Sequence, residues 1–134
     1  MKKKIVITGG LGYIGTELCK LYSGVSWHHE IIVIDNRFFS ERVNQIRNWN
    51  MKFIQGDILD KNLIKKYCKD ANVVHHLAGI TDVPRTKNES SLLQDEKIKE
   101  VGEKGTQNIL DVISNDCKII FPSTHVVYEG INEV

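Results

Sequence analysis

Short apolar runs alternate along the chain with stretches whose apolar residues recur at helical spacing. The runs at residues 5–7 and 31–34 are continuous and β-branched, as expected of strands that are buried on both faces. Strands are predicted at residues 5–7, 31–34, 51–54, 73–77 and 118–121. Helices are predicted at residues 13–21, 40–49 and 90–114. A further helix is predicted to begin after Asp60, which can serve as its N-cap. This alternation predicts an α/β fold, a doubly wound parallel sheet with helices on both faces and strand order 3-2-1-4-5.

Apolar spacing also predicts which helical side chains face the sheet. In the first helix and in the helix after Asp60, the apolar residues fall on one side, so each helix would bury a stripe against the core. The predicted inward residues are Ile14, Leu18, Leu21, Leu63, Ile64 and Tyr67.

Length and composition indicate an ordinary globular domain, which we predict to span residues 1–134. Eighteen basic and seventeen acidic residues give a formal charge of +1, so the charge balance does not favour nucleic-acid or membrane partners. No apolar run approaches the length of a membrane span. Three widely spaced cysteines, with no CxxC pair, indicate buried free thiols rather than disulfides or a zinc site. We therefore expect a cytoplasmic protein.

Two pairs of adjacent histidines are the candidates for metal binding. His75 and His76 lie in a predicted strand, where neighbouring side chains face opposite ways and cannot readily chelate one ion. Neither they nor His28 and His29 have a carboxylate or cysteine at a usual ligand spacing. We therefore predict no metal site.

The most specific motif is a glycine-rich turn between the first predicted strand and the first predicted helix. Gly9, Gly12 and Gly15 recur at intervals of three residues. Gly9 would allow a turn closed to other residues, Gly12 would let the backbone approach a pyrophosphate, and Gly15 would let the helix pack closely. The free N–H groups and the positive dipole end of the helix would then face the phosphates. The alternative is a purely structural turn.

An acidic residue stands where such a motif requires one. Asp35 ends the second predicted strand, twenty residues after Gly15, where a carboxylate can accept hydrogen bonds from the adenosine ribose. Together with the glycine turn, it predicts a Rossmann-type dinucleotide site. A carboxylate there would repel the 2′-phosphate of NADP, so NAD is favoured. Arg37 either attracts that phosphate or is a solvated loop charge.

Six short segments resemble the motifs of one known family, in the same order and on the same predicted elements. They are residues 8–15 (TGGLGYIG), 35–36 (DN), 56–58 (GDI), 76–79 (HLAG), 105–110 (GTQNIL) and 121–128 (FPSTHVVY). The chain thus resembles the N-terminal part of the extended short-chain dehydrogenase/reductases, in particular the NAD-dependent epimerase/dehydratase family that acts on nucleotide sugars. The resemblance covers nearly the whole chain.

This resemblance implies roles for individual residues. Asp57 would bind the adenine amino group, Ser123 would contact the nicotinamide end, and Thr124 would bind and orient the substrate hydroxyl. Thr124 also follows a predicted parallel strand at the edge where such sheets bind ligands, although a hydroxyl there can also close a turn. The implied cofactor-binding residues are Gly9, Gly12, Tyr13, Ile14, Asp35, Asn36, Asp57, Ile58, Leu77, Ala78, Gly79 and Ser123, and the implied catalytic residue is Thr124.

Two departures from the family pattern stand out. Gly102 occupies a position where the family often has asparagine. The family's proton-exchanging Tyr-x-x-x-Lys pair is absent, because the fourth residue after each of the four tyrosines is never lysine. We therefore expect the chain to be an N-terminal fragment, truncated before the last strands and the substrate domain and inactive alone.

Three functions remain open at this stage. The first is an epimerase or dehydratase that acts on a nucleotide sugar by hydride transfer through a keto intermediate, with NAD as cofactor. The second is a non-catalytic NAD(P)-sensing module, but retention of Ser123 and Thr124 favours an enzyme. The third is an NADPH-dependent reductase of the same fold, against which Asp35 counts. The first implies a nucleotide-sugar substrate and leaves a homodimer open.

Overall fold

The structure is a computed structural model that describes residues 1–80 and 92–123, without the side chains of residues 92–95. Its strands are β1 (Lys4–Thr8), β2 (Glu30–Asp35), β3 (Lys52–Gln55), β4 (Val73–His76) and β5 (Lys118–Ile120). Its helices are α1 (Tyr13–Tyr22), α2 (Ser40–Asn48), α3 (Lys61–Cys68) and α4 (Leu92–Leu110). Every predicted strand and helix is present. The long helix α4 ends at Leu110 instead of the predicted residue 114.

The strands form one parallel sheet. Its order is β3-β2-β1-β4-β5, which confirms the prediction. Thr8 at the end of β1 is paired in register with Ile34 of β2 and His76 of β4, so these strand ends lie side by side. We call the carboxyl ends of the strands, with the loops that follow them, the carboxyl edge. In an open parallel sheet this is where ligands bind.

Apolar side chains form a core on each face of the sheet. Successive residues of β1 point to opposite faces, so Ile5 and Ile7 join one cluster and Val6 joins the other. The first cluster includes buried residues of α1 and α2, and the second includes buried residues of α3 and α4. Helices therefore cover both faces, which explains why β1 and β2 contain continuous apolar runs.

The predicted inner face of α1 is wrong in part. Ile14 and Leu21 are 66% and 78% exposed, whereas Gly15 and Cys19 are buried and Leu18 packs against the core. Close packing at Gly15 turns the helix so that this residue, rather than Ile14, faces inward.

The predicted inner face of α3 needs a smaller correction. Ile64 is buried as predicted, but Cys68 is the second buried residue, while Leu63 and Tyr67 are only partly buried. Residues 64 and 68 are four apart and so lie on one line along the helix.

The cysteines are all unpaired, as predicted. Cys19 and Cys68 are buried, and burial raises the pKa of each thiol to about 12. Cys117 is only partly buried because it lies in the loop before the outer strand β5, so the prediction of three buried thiols is wrong at this position. Within the described ranges, no helix combines the length and apolar character needed to cross a membrane.

Candidate dinucleotide-binding site

The glycine turn is held against the ends of two strands. Gly9 has φ of +71°, a backbone conformation that side chains disfavour, and its N–H donates to the Ile34 carbonyl of β2 at 2.7 Å. A Cβ atom at Gly9 would lie 2.7 Å from the backbone nitrogen of Ala78, just beyond β4. Both observations confirm that this position requires glycine, and they show that the turn and the end of β4 touch without spare room.

The first helix begins directly behind this turn. A Cβ atom at Gly15 would lie 2.6 Å from the Gly10 Cα atom, which confirms the close helix packing expected there. Gly12 is the N-cap residue and no side chain caps the helix. Within the part of the chain that the structure describes, the backbone N–H groups of Tyr13 and Ile14 find no acceptor. The helix therefore presents free donors at the carboxyl edge.

Few of the described atoms lie in the space in front of the turn. A Cβ atom at Gly12 would approach only the Gly9 carbonyl oxygen at 3.3 Å and an Arg37 nitrogen at 4.0 Å. Tyr13, beside it, is 89% exposed, and the first turn of α1 contains no acidic residue. Free donors, the positive end of the helix dipole and open space fit an anionic group such as a pyrophosphate.

Asp35 is buried at the end of β2 and binds the glycine turn. One carboxylate oxygen accepts a hydrogen bond from the Leu11 N–H at 3.0 Å, and the other accepts from the Arg37 N–H at 3.0 Å. Asp35 therefore fixes the turn as well as standing where a ribose is expected. A carboxylate has roughly four acceptor sites, so capacity for a ribose hydroxyl remains.

Two arginines border this carboxylate. The Arg37 Nε lies 3.4 Å from an Asp35 oxygen, and Arg42 donates to the Leu11 carbonyl. The guanidinium carbons of Arg37 and Arg42 lie 5.5 and 5.3 Å from the centre of the Phe39 ring, within cation–π range. The Asp35 end of the candidate site therefore contains one negative and two positive side chains, and of the two arginines the sequence analysis named only Arg37.

Asp57 and Ile58, the predicted site residues in the loop after β3, lie in different environments. Asp57 is exposed and accepts a hydrogen bond from the Leu59 N–H at 2.9 Å, so it remains accessible at the carboxyl edge. Ile58 is 5% exposed, and its carbonyl accepts from the Asn108 side chain at 3.0 Å. A Cβ atom at Gly105 would lie 2.3 Å from the Ile58 side chain. The Ile58 side chain therefore belongs to the core, and only its backbone remains available to a ligand.

A series of hydrogen bonds centred on the buried side chains of Thr8 and His76, which sequence reasoning missed, links β1, β4 and α4. His76 Nδ1 lies 2.8 Å from the Thr8 hydroxyl, and His76 Nε2 lies 3.0 Å from the Thr106 hydroxyl. The Ala78 N–H donates to the Thr8 hydroxyl oxygen at 3.2 Å, and the Thr106 hydroxyl donates to the Gly102 carbonyl at 2.6 Å. Burial lowers the pKa of His76. The sequence signal was a polar residue at the end of β1 and at the end of β4.

His75 points to the other face of the sheet, as predicted. Its Nε2 lies 2.7 Å from the Tyr22 hydroxyl, and burial, with a smaller contribution from Lys118, lowers its pKa. Among the described residues, no three potential ligands cluster where they could hold a metal ion.

The remaining predicted residues are distributed along the carboxyl edge. Asn36 is exposed after β2, and Leu77 and Ala78 are partly buried after β4. Ser123 is exposed, three residues past β5. Thr124 lies outside the described residues.

The parallel sheet, the glycine turn that opens α1 and the acidic end of β2 define the Rossmann class of dinucleotide-binding domains. A family model described as the 3-beta hydroxysteroid dehydrogenase/isomerase family matches residues 6–132. The chain belongs to this family.

Individual relatives confirm the resemblance to the NAD-dependent epimerase/dehydratase group. The chain is 34% identical to a UDP-N-acetyl-alpha-D-glucosaminuronate decarboxylase of Bacillus cytotoxicus, over 96% of this chain and 38% of that protein. It is 32% identical to a dTDP-D-glucose 4,6-dehydratase of Dictyostelium discoideum, over 94% of this chain and 30% of that protein. The chain therefore spans about a third of the length of these relatives.

A solved structure shows the same fold. The UDP-glucose-4-epimerase of Stenotrophomonas maltophila, crystallised with bound NAD, superposes with a TM-score of 0.73 at 21% identity. The match covers 98% of this chain and 40% of the epimerase chain. At this identity the match supports the Rossmann architecture and no more.

Proposed function

We propose that the carboxyl edge binds NAD, with the pyrophosphate at the N-terminus of α1 and the adenosine ribose at Asp35. The observation that carries this proposal is the front of α1, where Gly12 has no side chain and the N–H groups of Tyr13 and Ile14 have no acceptor among the described residues. Asp35 lies at the neighbouring strand end and contacts the same turn. Membership of a family of dehydrogenases supports the choice of ligand.

The other contacts follow the order of the strands. Asp57 would bind the adenine amino group, and the Ile58 and Asn36 backbones would lie beside it. The segment 77–79 would line the middle of the cofactor, and Ser123 would contact its nicotinamide end. These roles are supported by the position of each residue just after a strand of the parallel sheet.

We further propose that the whole protein is a cytoplasmic epimerase or dehydratase that acts on a nucleotide sugar through a keto intermediate. When bound, NAD supplies a hydride acceptor and donor. Thr124 would hold the substrate hydroxyl during this transfer. The family description names steroid dehydrogenases, but the names of the relatives refer to nucleotide sugars, which favours that substrate class. With no Tyr-x-x-x-Lys pair in the sequence, we propose that these 134 residues alone do not turn over substrate.

A second candidate is an NADPH-dependent reductase of the same fold. It is favoured by the two guanidinium groups of Arg37 and Arg42 at the ribose end, which would attract a 2′-phosphate. Asp35 opposes it by repulsion, so the comparison of NAD and NADP affinities decides between the two.

Substituting Gly12 tests the proposed pyrophosphate position. Gly12→Val keeps an allowed backbone conformation, because φ is −72°, and its Cβ would press only on the Gly9 carbonyl oxygen at 3.3 Å, while the rest of the new side chain would occupy the pyrophosphate position. Circular dichroism of the variant checks that the fold is retained. We expect the Kd for NAD, measured by calorimetric titration, to rise at least about tenfold, an effect on the order of 1.4 kcal/mol. Gly24→Ala is the matched control, since a Cβ there has only a contact at 4.0 Å. Equal NAD affinity for Gly12→Val and the wild type would refute the proposed site.

A further inference from the structure

We infer that Thr106 of α4 is a positioning residue for the cofactor site, acting through His76 and Thr8 on the backbone of Ala78. The four groups form one hydrogen-bonded chain that crosses from α4 through β4 to β1 and returns to the loop after β4. The inference rests on the proposed binding of NAD, because it assigns the chain a role in setting the shape of that site.

The donor and acceptor of each hydrogen bond in this series can be assigned, starting from α4. The Gly102 carbonyl can only accept, so the Thr106 hydroxyl proton is used there and the Thr106 oxygen accepts from His76 Nε2–H. Neutral His76 then has its acceptor at Nδ1, which accepts a hydrogen bond from the Thr8 hydroxyl. The Thr8 oxygen finally accepts from the Ala78 N–H. Each hydrogen bond therefore determines which atom donates and which accepts in the next one.

The last member of this chain touches the glycine turn. The Ala78 backbone nitrogen lies where a Gly9 Cβ would be only 2.7 Å away, so a shift of Ala78 meets the turn directly. The His76 ring also lies 5.6 Å, centre to centre, from the ring of Phe121, two residues before Ser123. One buried imidazole is thus linked through Thr8 to the loop after β4 and packs near Phe121 in the segment after β5, and both segments belong to the proposed cofactor site.

Burial alone does not account for this arrangement. A buried histidine needs partners for its two ring nitrogens, and two water molecules or two backbone groups would satisfy that need equally well. Here the partners are hydroxyls that bond onward, one to the Gly102 carbonyl of α4 and the other to the amide that borders the glycine turn. The position of α4 is thereby linked to the position of residues 77–79.

Three variants of α4 test the coupling. Thr106→Val keeps the shape of the side chain but removes the hydroxyl, and we expect its Kd for NAD to rise about tenfold. Thr106→Ser restores the hydroxyl and should bind NAD within about twofold of the wild type. Gln107→Ala, which removes an exposed hydrogen bond from α4 to Asp111 just beyond its end, should leave the Kd unchanged. A Thr106→Val protein with lowered thermal stability but wild-type Kd would mean that the chain is only structural, and would overturn the inference.

The tautomer of His76 provides a test that does not depend on any variant folding. Nitrogen-15 NMR of the histidine-labelled wild type should show neutral His76 protonated at Nε2, and a proton at Nδ1 would overturn the assigned hydrogen-bond directions and with them the inference.

The titrations with NAD also separate this inference from the proposed function. Failure of the wild type to bind NAD would refute the proposed function, whereas equal binding by wild type and Thr106→Val would refute the coupling alone.

Discussion

Asp35 serves two purposes at a single strand end. It anchors the glycine turn through the Leu11 N–H, and it places a negative charge where the adenosine ribose is expected. Arg37 contributes its backbone N–H and its guanidinium to the same carboxylate. The positive charge of Arg37 therefore offsets part of the repulsion between Asp35 and a 2′-phosphate. The preference for NAD over NADP depends on both Asp35 and Arg37.

Changing these two charges should move cofactor preference in opposite directions. We expect the wild type to bind NAD more tightly than NADP. Asp35→Ala should lower the ratio of the NADP Kd to the NAD Kd, because the repulsive charge is removed. Arg37→Ala should raise the ratio of the NADP Kd to the NAD Kd about fivefold, since two unit charges about 4 Å apart interact by about 1 kcal/mol even in water. Parallel calorimetric titrations with both cofactors measure the ratio. Asp35→Asn, which keeps an acceptor for Leu11, separates loss of charge from loss of anchoring.

Tighter binding of NADP than of NAD by the wild type would contradict the assignment of the cofactor. An Arg37→Ala variant with an unchanged ratio of the two affinities would show that this guanidinium does not act on the 2′ position.

At the scale of the element, α3 shows how a local signal fixes a helix end. The Asp60 carboxylate accepts hydrogen bonds from the N–H groups of Asn62 and Leu63 at 3.0 and 3.1 Å, which confirms the N-cap predicted from the sequence. The cap works through atoms two and three residues away, so no tertiary information was needed.

Removal of this cap should destabilise the protein. Asp60→Ala should lower the free energy of unfolding by about 1 kcal/mol, measured by urea denaturation. Asp60→Asn, which retains a capping oxygen, should lose much less. An equal loss of the free energy of unfolding in both variants would attribute the effect to the charge of Asp60. An Asp60→Ala protein as stable as the wild type would contradict the capping role.

At the scale of the whole molecule, two buried histidines make stability depend on pH. Burial lowers the pKa values of His75 and His76 from 6.5, so the folded protein keeps both rings neutral while the unfolded chain takes up protons. Their contribution is therefore complete above pH 6.5 and is lost as the pH falls from there through the lowered pKa values.

Urea denaturation at intervals between about pH 7.5 and 5 should show a falling free energy of unfolding. His76→Asn should reduce this slope, whereas His28→Gln, a change to an exposed side chain in a turn, should leave it unchanged. A free energy of unfolding that stays constant across this interval would contradict the prediction.

The sequence by itself determined the element order, the sheet topology and the principal points of the candidate site. Continuous β-branched runs such as residues 5–7 are typical of strands buried on both faces, and their alternation with amphipathic segments leaves few permitted topologies. Gly9 and Asp35 were found because their roles depend on local backbone geometry and on position at a strand end.

Only the tertiary structure decided which surfaces meet. The rotation of α1 depends on the contact of Gly15 with Gly10, and apolar spacing alone placed Ile14 inward instead. The bond between His76 and Thr106 joins residues thirty positions apart, because the sheet order brings α4 beside the end of β4. Local patterns report which residues avoid water, but the identity of a buried partner depends on how distant segments pack.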